Sequence, residues 1–160
     1  MYRICFLFFA ASLTAQTAWA TDPEFMGFVL KNAHERGFKK CDNAIKDAFS
    51  GVGGQDIRVI TQNGLANDFM KIIAVYGAPG DAVYMEAEFR QSGAKCKFTC
   101  TSTTVSTTSC IANLGELPAF KYQAETAGVT FTKNAGGVNM ILLPVGSQGC
   151  TSVFLRDGES

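Results

Sequence analysis

The sequence predicts an α+β fold: an N-terminal helical region packed on a curved, mainly antiparallel sheet of six to seven strands. Three observations carry that expectation. Apolar residues recur every three or four positions up to residue 49, then every second position from residue 57 onward. Glycine, proline and polar clusters cut the second region into short runs, as hairpins require. No helical pattern separates those runs, which argues against the alternating strands and helices of a parallel sheet.

The first element is not part of that fold. Residues 1–20 read as a signal peptide, with Arg3 as the positive start, the apolar run ICFLFFAASL over residues 4–13, and Ala18-Trp19-Ala20 as a small-x-small cleavage site. The apolar run is about half of the roughly 20 residues a membrane-spanning helix needs, and no later run is longer, so no membrane span is expected. Cys5 precedes the apolar run instead of marking the cleavage point, so no lipid-modified cysteine is expected either. Cleavage after Ala20 leaves residues 21–160, read as a single domain large enough to bury roughly two-thirds of its unfolded surface. Processing removes the only tryptophan, Trp19, and one of the six cysteines, and leaves the basic residues one short of the 14 acidic ones. Such a balance gives no electrostatic footprint for nucleic acid.

Thr21-Asp22-Pro23-Glu24 combines a capping oxygen, a proline where its missing N–H does no harm, and an acid at the positive helix end, so a helix is expected to follow. Phe25, Phe28, Val29 and Ala33 form its apolar positions. After Gly37, which predicts a kink or a break, Phe38, Cys41, Ile45, Ala48 and Phe49 continue the pattern until the glycine-rich segment 51–54. Ile57 and Val59 open the extended region. Residues 69–76 (FMKIIAVY) are apolar on both faces apart from Lys71 and predict a central strand. Val83, Met85, Ala87 and Phe89 then alternate with Tyr84, Glu86, Glu88 and Arg90, and Cys96, Phe98 and Cys100 alternate with Lys95, Lys97 and Thr99. The hydroxyl-rich run TSTTVSTTS over residues 101–109 predicts a protruding hairpin tip or a sheet edge. Residues 120–124 predict a further strand, residues 129–133 and 138–143 a hairpin ended by Pro144, and residues 151–156 the last strand. No period of 20 to 50 residues repeats, which excludes solenoids and propellers.

Five cysteines remain after processing: Cys41, Cys96, Cys100, Cys110 and Cys150. In an exported protein pairing is their default fate, and an odd number predicts two bridges and one free thiol. A hairpin of residues 95–104 and 107–114 turning near Val105 would face Cys100 with Cys110, leaving Cys41 to seek Cys96 or Cys150.

Motifs for chemistry are scarce. His34, the only histidine, has no nucleophile or orienting carboxylate supplied by a local motif, so it reads as a surface residue on the polar side of a helix; its sharper alternative is a Cys–His pair with the free thiol. Neither G-x-S-x-G nor H-E-x-x-H occurs. Cys96 and Cys100 on one strand would lie ~13 Å apart, too far to share an ion, so no metal or other cofactor is expected. Glu86 and Glu88 could be imagined as a carboxylate pair, but with Tyr84 and Arg90 beside them they read as a solvated strand face. The glycine clusters at 51–54 and 136–137 lack the strand-to-helix order and the Gly-Lys-Ser/Thr of a phosphate cradle, and read as turns. Arg36, Lys39 and Lys40, balanced by Glu35, Asp42 and Asp47, read as a solvated helix face.

The resulting expectation is an exported, periplasmic or secreted, non-enzymatic binding protein that acts on another exported protein as an inhibitor or immunity protein does; the absence of an N-x-S/T sequon suits a bacterial periplasm. Its candidate binding loops are residues 78–81, with Pro79, Gly80 and Asp81, and residues 101–109, with Thr103, Thr104 and Val105. The alternative is a small-ligand carrier or hydrolase with a site between helix and sheet, lined by Phe28, Phe38, Tyr76 and Phe98.

Overall fold

The computed structural model describes residues 22–53, 57–64, 68–78 and 81–160. The signal peptide expected over residues 1–20 and the turn residues Pro79 and Gly80 lie outside them.

Helix α1 (Pro23–Glu35) starts where its sequence signal stands. The Asp22 carboxylate accepts the backbone N–H groups of Glu24 at 2.8 Å and Phe25 at 3.3 Å, satisfying two donors that the first turn leaves open. Phe25, Val29 and Ala33 form the buried stripe, whereas Phe28 falls off it and is 53% exposed. Gly37, at φ 82°, adopts a left-handed conformation that breaks the helix. Helix α2 (Asp42–Ala48) follows and turns Ala44, Ile45 and Ala48 inward. Phe25, Phe49, Phe89 and Phe98 make a relay of ring contacts with centroids 5.8, 6.3 and 6.1 Å apart, linking α1 to the sheet. Burying each such ring contributes roughly 1.5–3 kcal/mol.

The strands are β1 (Arg58–Asn63), β2 (Phe69–Ala78), β3 (Asp81–Ser92) and β4 (Lys95–Ser106), then, after helix α3 (Cys110–Glu116), β5 (Lys121–Thr126), β6 (Val129–Lys133), β7 (Asn139–Val145) and β8 (Gly149–Glu159). They form one sheet in the order β1-β2-β3-β4-β8-β7-β6-β5, with every neighbouring pair antiparallel. The predicted class therefore holds in outline, but the sheet has eight strands instead of six to seven and is not closed: β1 and β5 are its two edges. The strand expected over residues 120–124 is β5, which is exposed along its whole length and forms one edge of the sheet.

Two further expectations are corrected. Strand β4 does not turn at Val105; it runs to Ser106, paired with β3 on one side and β8 on the other. Residues 101–106 of the threonine run are thus neither a tip nor an edge, because β-branched hydroxyl residues fit the pleated interior of a sheet as well as its rim, and only 107–109 form an exposed connection. The expected second arm, residues 107–114, instead enters α3, whose first turn is capped by the Ser109 hydroxyl accepting the Ala112 N–H at 3.3 Å. Pro144 does not end its strand either; it lies within β7, opposite Cys150.

The molecule is built twice from one plan. A helical segment is followed by a four-stranded meander, first α2 with β1 to β4, then α3 with β5 to β8, and the last strands of the two meanders pair at the centre of the sheet. The same sequence offset that carries Cys96 onto Cys150 carries Thr101 onto Leu155, and these two residues face each other in the β4·β8 ladder, as residues on a twofold axis must. Both disulfides obey this approximate symmetry. Cys41, the residue that precedes α2, bonds Cys96, the second residue of β4; Cys110, the first residue of α3, bonds Cys150, the second residue of β8. Each half also has its own buried cluster. The first joins α1 and α2 to Met70, Ile72, Phe89 and Phe98; the second, much smaller, joins Leu114, Leu117 and Phe120 to Met140, Leu142 and Cys150. Both clusters lie on the same face of the sheet.

Candidate functional site

Among the described residues no helix covers the opposite sheet face. Alternation of side chains and the antiparallel register place on that face Ile73 and Val75 of β2, Tyr84, Glu86, Glu88 and Arg90 of β3, the odd-numbered residues of β4 and β8, Ile141 and Leu143 of β7, and Phe131 of β6. Of the nine most exposed large apolar side chains among the described residues, six lie here: Ile60, Val75, Tyr84, Val105, Phe131 and Val145.

Register sorts this face into rows that cross the strands. Val75, Tyr84, Thr103, Val153, Ile141 and Phe131 stand opposite one another in turn, from β2 to β6, without a charged side chain among them. Two rows nearer the end at which β4 begins, the composition changes to Lys71, Glu88, Thr99 and Asp157, and then to Phe69, Arg90, Lys97 and Glu159. An uncharged band is thus bordered by a charged one.

The charges in that border are mutually engaged. Lys71 Nζ donates to Glu86 Oε1 at 2.7 Å and lies 3.1 Å from Glu88 Oε1, while the Tyr84 hydroxyl donates to Glu86 Oε2 at 2.6 Å. The hydrogen bonds from Lys71 and Tyr84 hold the Glu86 carboxyl below its usual range, and those to Glu86 and Glu88 hold the Lys71 ammonium above its own. A carboxylate stabilised in its ionised form is a poor general acid, so Glu86 is ill suited to be the proton donor of a hydrolytic pair. Further along, Lys95 bonds Glu159, Lys97 lies 3.6 Å from the same carboxylate, and the Arg90 guanidinium sits 4.9 Å above the Phe69 ring.

Of the candidate loops, Asp81 begins β3, whereas Thr103, Thr104 and Val105 lie inside β4. Thr103 belongs to the uncharged band and Val105 is one step beyond it on the same bare face, while Thr104, opposite Ser152, belongs to the helix-bearing face. Sequence reasoning thus selected two residues of the bare face while treating them as a loop. It missed Val153, Ile141 and Phe131, whose common row depends on the pairing of strands distant in sequence. Alternation in each strand was the available signal.

The cysteines pair as Cys41–Cys96 and Cys110–Cys150, with Cα separations of 5.4 and 5.0 Å, and Cys100 is the buried free thiol. The expected Cys100–Cys110 bond is absent because Cys110 is carried away by α3 and no hairpin brings the two together. His34 Nε2 lies 2.8 Å from Asp42 Oδ1, joining the last turn of α1 to the first turn of α2. A carboxylate partner for His34 therefore exists, but the imidazole is used to tie two helices rather than to serve the free thiol. Among the described residues no cluster of three or more His, Cys, Asp or Glu could hold a metal ion.

On the helix-bearing face a cleft of about 250 Å³ opens at the boundary of the two halves, between the end of α2 and the sheet. Tyr76, Met85, Cys100, Ser102, Phe154 and Arg156 line it. Of the four aromatics expected to line such a site only Tyr76 does; Phe38 is core, Phe98 packs in the ring relay, and Phe28 lines a separate groove of about 410 Å³ between α1 and β1. Comparison of the chain with protein-family models, with curated proteins and with solved structures finds no match.

Proposed function

We propose that the chain is an exported, non-enzymatic binding protein that engages another secreted or periplasmic protein through the bare face of its sheet, in the manner of an inhibitor or immunity protein. The observation that carries this reading is the uncharged row from Val75 to Phe131 with its charged border, on a face that no element of the described residues covers. An apolar centre with a polar rim is the ordinary anatomy of a protein–protein interface. Strands ~4.8 Å apart and rows ~6.7 Å apart make the face about 34 by 27 Å, close to the roughly 800 Å² that each partner brings to a standard complex. The two disulfides suit an oxidising, extracytoplasmic compartment, and no helix among the described residues is long and apolar enough to cross a membrane. They also reduce the ordering cost of association by holding the helices to the sheet.

The test is affinity capture from periplasmic extract with the wild-type protein, with Val153→Glu on the bare face, and with Ile111→Glu, a residue of α3 that is 85% exposed on the other side. A stoichiometric partner should be retained by the wild type and by Ile111→Glu and lost with Val153→Glu. Absence of a stoichiometric partner, or equal retention by all three, would remove the reading. A second reading, small-ligand binding between helix and sheet, has the cleft beside Cys100 in its favour.

A further inference from the structure

We propose that the cleft at the boundary of the two halves binds a small monocarboxylate with a short apolar tail, with Arg156 as its anchor. The proposal rests on the second reading, that this cleft holds a ligand, and adds the ligand's chemistry.

The cleft exists because of the duplicated plan. Helix α2 packs on β3, β4 and β8, α3 packs on β7 and β8, and the two buried clusters do not merge between them. Met85 and Cys100 enter from the first cluster, and Phe154 lies against the second. Ala48 and Gly51 close the α2 side. The walls are therefore largely apolar, and the volume of about 250 Å³ accommodates about eight non-hydrogen atoms at ~30 Å³ each.

Its polar groups converge on one sign of charge. Among the described residues lining the cleft Arg156 is the only charged one; its ion-pair partner, the Asp47 carboxylate, stands outside that lining. The guanidinium is held in orientation by the Asp47 backbone carbonyl at 2.6 Å, the Asp47 carboxylate at 3.4 Å, and the Phe98 ring 5.3 Å away. That uses two of its five donors, and a guanidinium presents the rest in a planar fork matched to a carboxylate. The hydroxyls of Tyr76 and Ser102 make no hydrogen bond within the described protein, yet no buried side-chain oxygen is left unpaired, so both open toward solvent-filled space. Burial holds the Tyr76 phenol and the Cys100 thiol protonated at neutral pH. A guanidinium with donors to spare beyond its Asp47 contacts, neutral hydroxyl donors and apolar walls together favour a single carboxylate on an apolar body. A phosphate would bring more charge than the site balances and would leave the walls without a partner.

Hexanoate, with eight non-hydrogen atoms, is the probe, and hexan-1-ol, of similar length without charge, is its control. Titration by calorimetry or by amide chemical shifts should show hexanoate binding with Kd on the order of 1 mM, as ligands of this size do, and at least about tenfold more tightly than hexan-1-ol. Arg156→Gln should remove that difference, and Ser102→Leu, which narrows the cleft and leaves its charge unchanged, should abolish binding of both probes with the far-ultraviolet dichroism unchanged. Shifts should map to Tyr76, Ser102 and Phe154. Equal affinity for the two probes would overturn the carboxylate assignment while leaving a ligand-binding cleft. Binding of neither, or binding indifferent to Ser102→Leu, would overturn both.

Discussion

Cys100 is the residue whose surroundings decide its chemistry most completely. Desolvation pushes its thiol up from 9.0 to about 11, against the opposing pull of the nearby Arg156. The thiolate is the reactive form, so at pH 8 the native thiol should alkylate roughly a hundredfold more slowly than the same thiol in denaturant, with the rate climbing toward pH 11. The linkage has a definite sign. A group whose pKa is raised by folding contributes stability that is fully present below its unfolded value and fades as pH rises through its folded value, so this contribution should be lost between pH 9 and about 11. Alkylation in the native state as fast as in the unfolded one would show that burial does not raise the Cys100 thiol. That one thiol would remain free was legible from an odd cysteine count; which one was not. Cys96 and Cys100 share a strand face, and the selection between them is made by where the loop before α2 passes over β4, a relation no local spacing encodes.

Among the elements, those with chemical punctuation were legible and those defined by partners were not. Asp22-Pro23 marks the start of α1 by an explicit cap, and β3 announces itself because one face is buried and the other wet. Helix α3 carried the same kind of signal: Ser109 as cap, then Cys110, Leu114 and Leu117 at helical spacing, all packed against the second cluster. It was overridden by the adjoining threonines, whose β propensity extends the strand only as far as Ser106. Because α3 is seven residues long and buries none of them, it depends on its disulfide more than α2 does. Closing loops with separations of 55 and 40 residues, each bridge contributes about 4 kcal/mol in the chain-entropy account. Cys110→Ser combined with Cys150→Ser should lower the unfolding free energy in denaturant by about that amount and release the α3 amides to rapid exchange. The corresponding loss at Cys41 and Cys96 should leave α2 protected by its larger core. Protected α3 amides without the bridge would show that packing alone retains the helix.

At the scale of the molecule the duplicated plan is invisible in the sequence because equivalent positions answer to different surroundings. Phe98 of β4 corresponds to Ser152 of β8, and Cys100 to Phe154, so a search for repeating residues finds nothing while the backbone repeats. The bare face was hidden for a related reason, since it is assembled from strands of both halves. One consequence of the bridges reaches further. Each disulfide stays within its own half, and between β4 and α3 the halves are joined only by the exposed residues 107–109. A protease site placed there should give two pieces, each still stapled, that remain associated through the β4·β8 ladder, part in denaturant without any reductant, and reassemble on dilution. Release of the pieces under native conditions would show that the ladder is not a sufficient joint. By this construction the protein is a natural split pair, two subunits sharing one chain, and each half is available to be exchanged, permuted or carried on separate fusion partners as a complementation reporter.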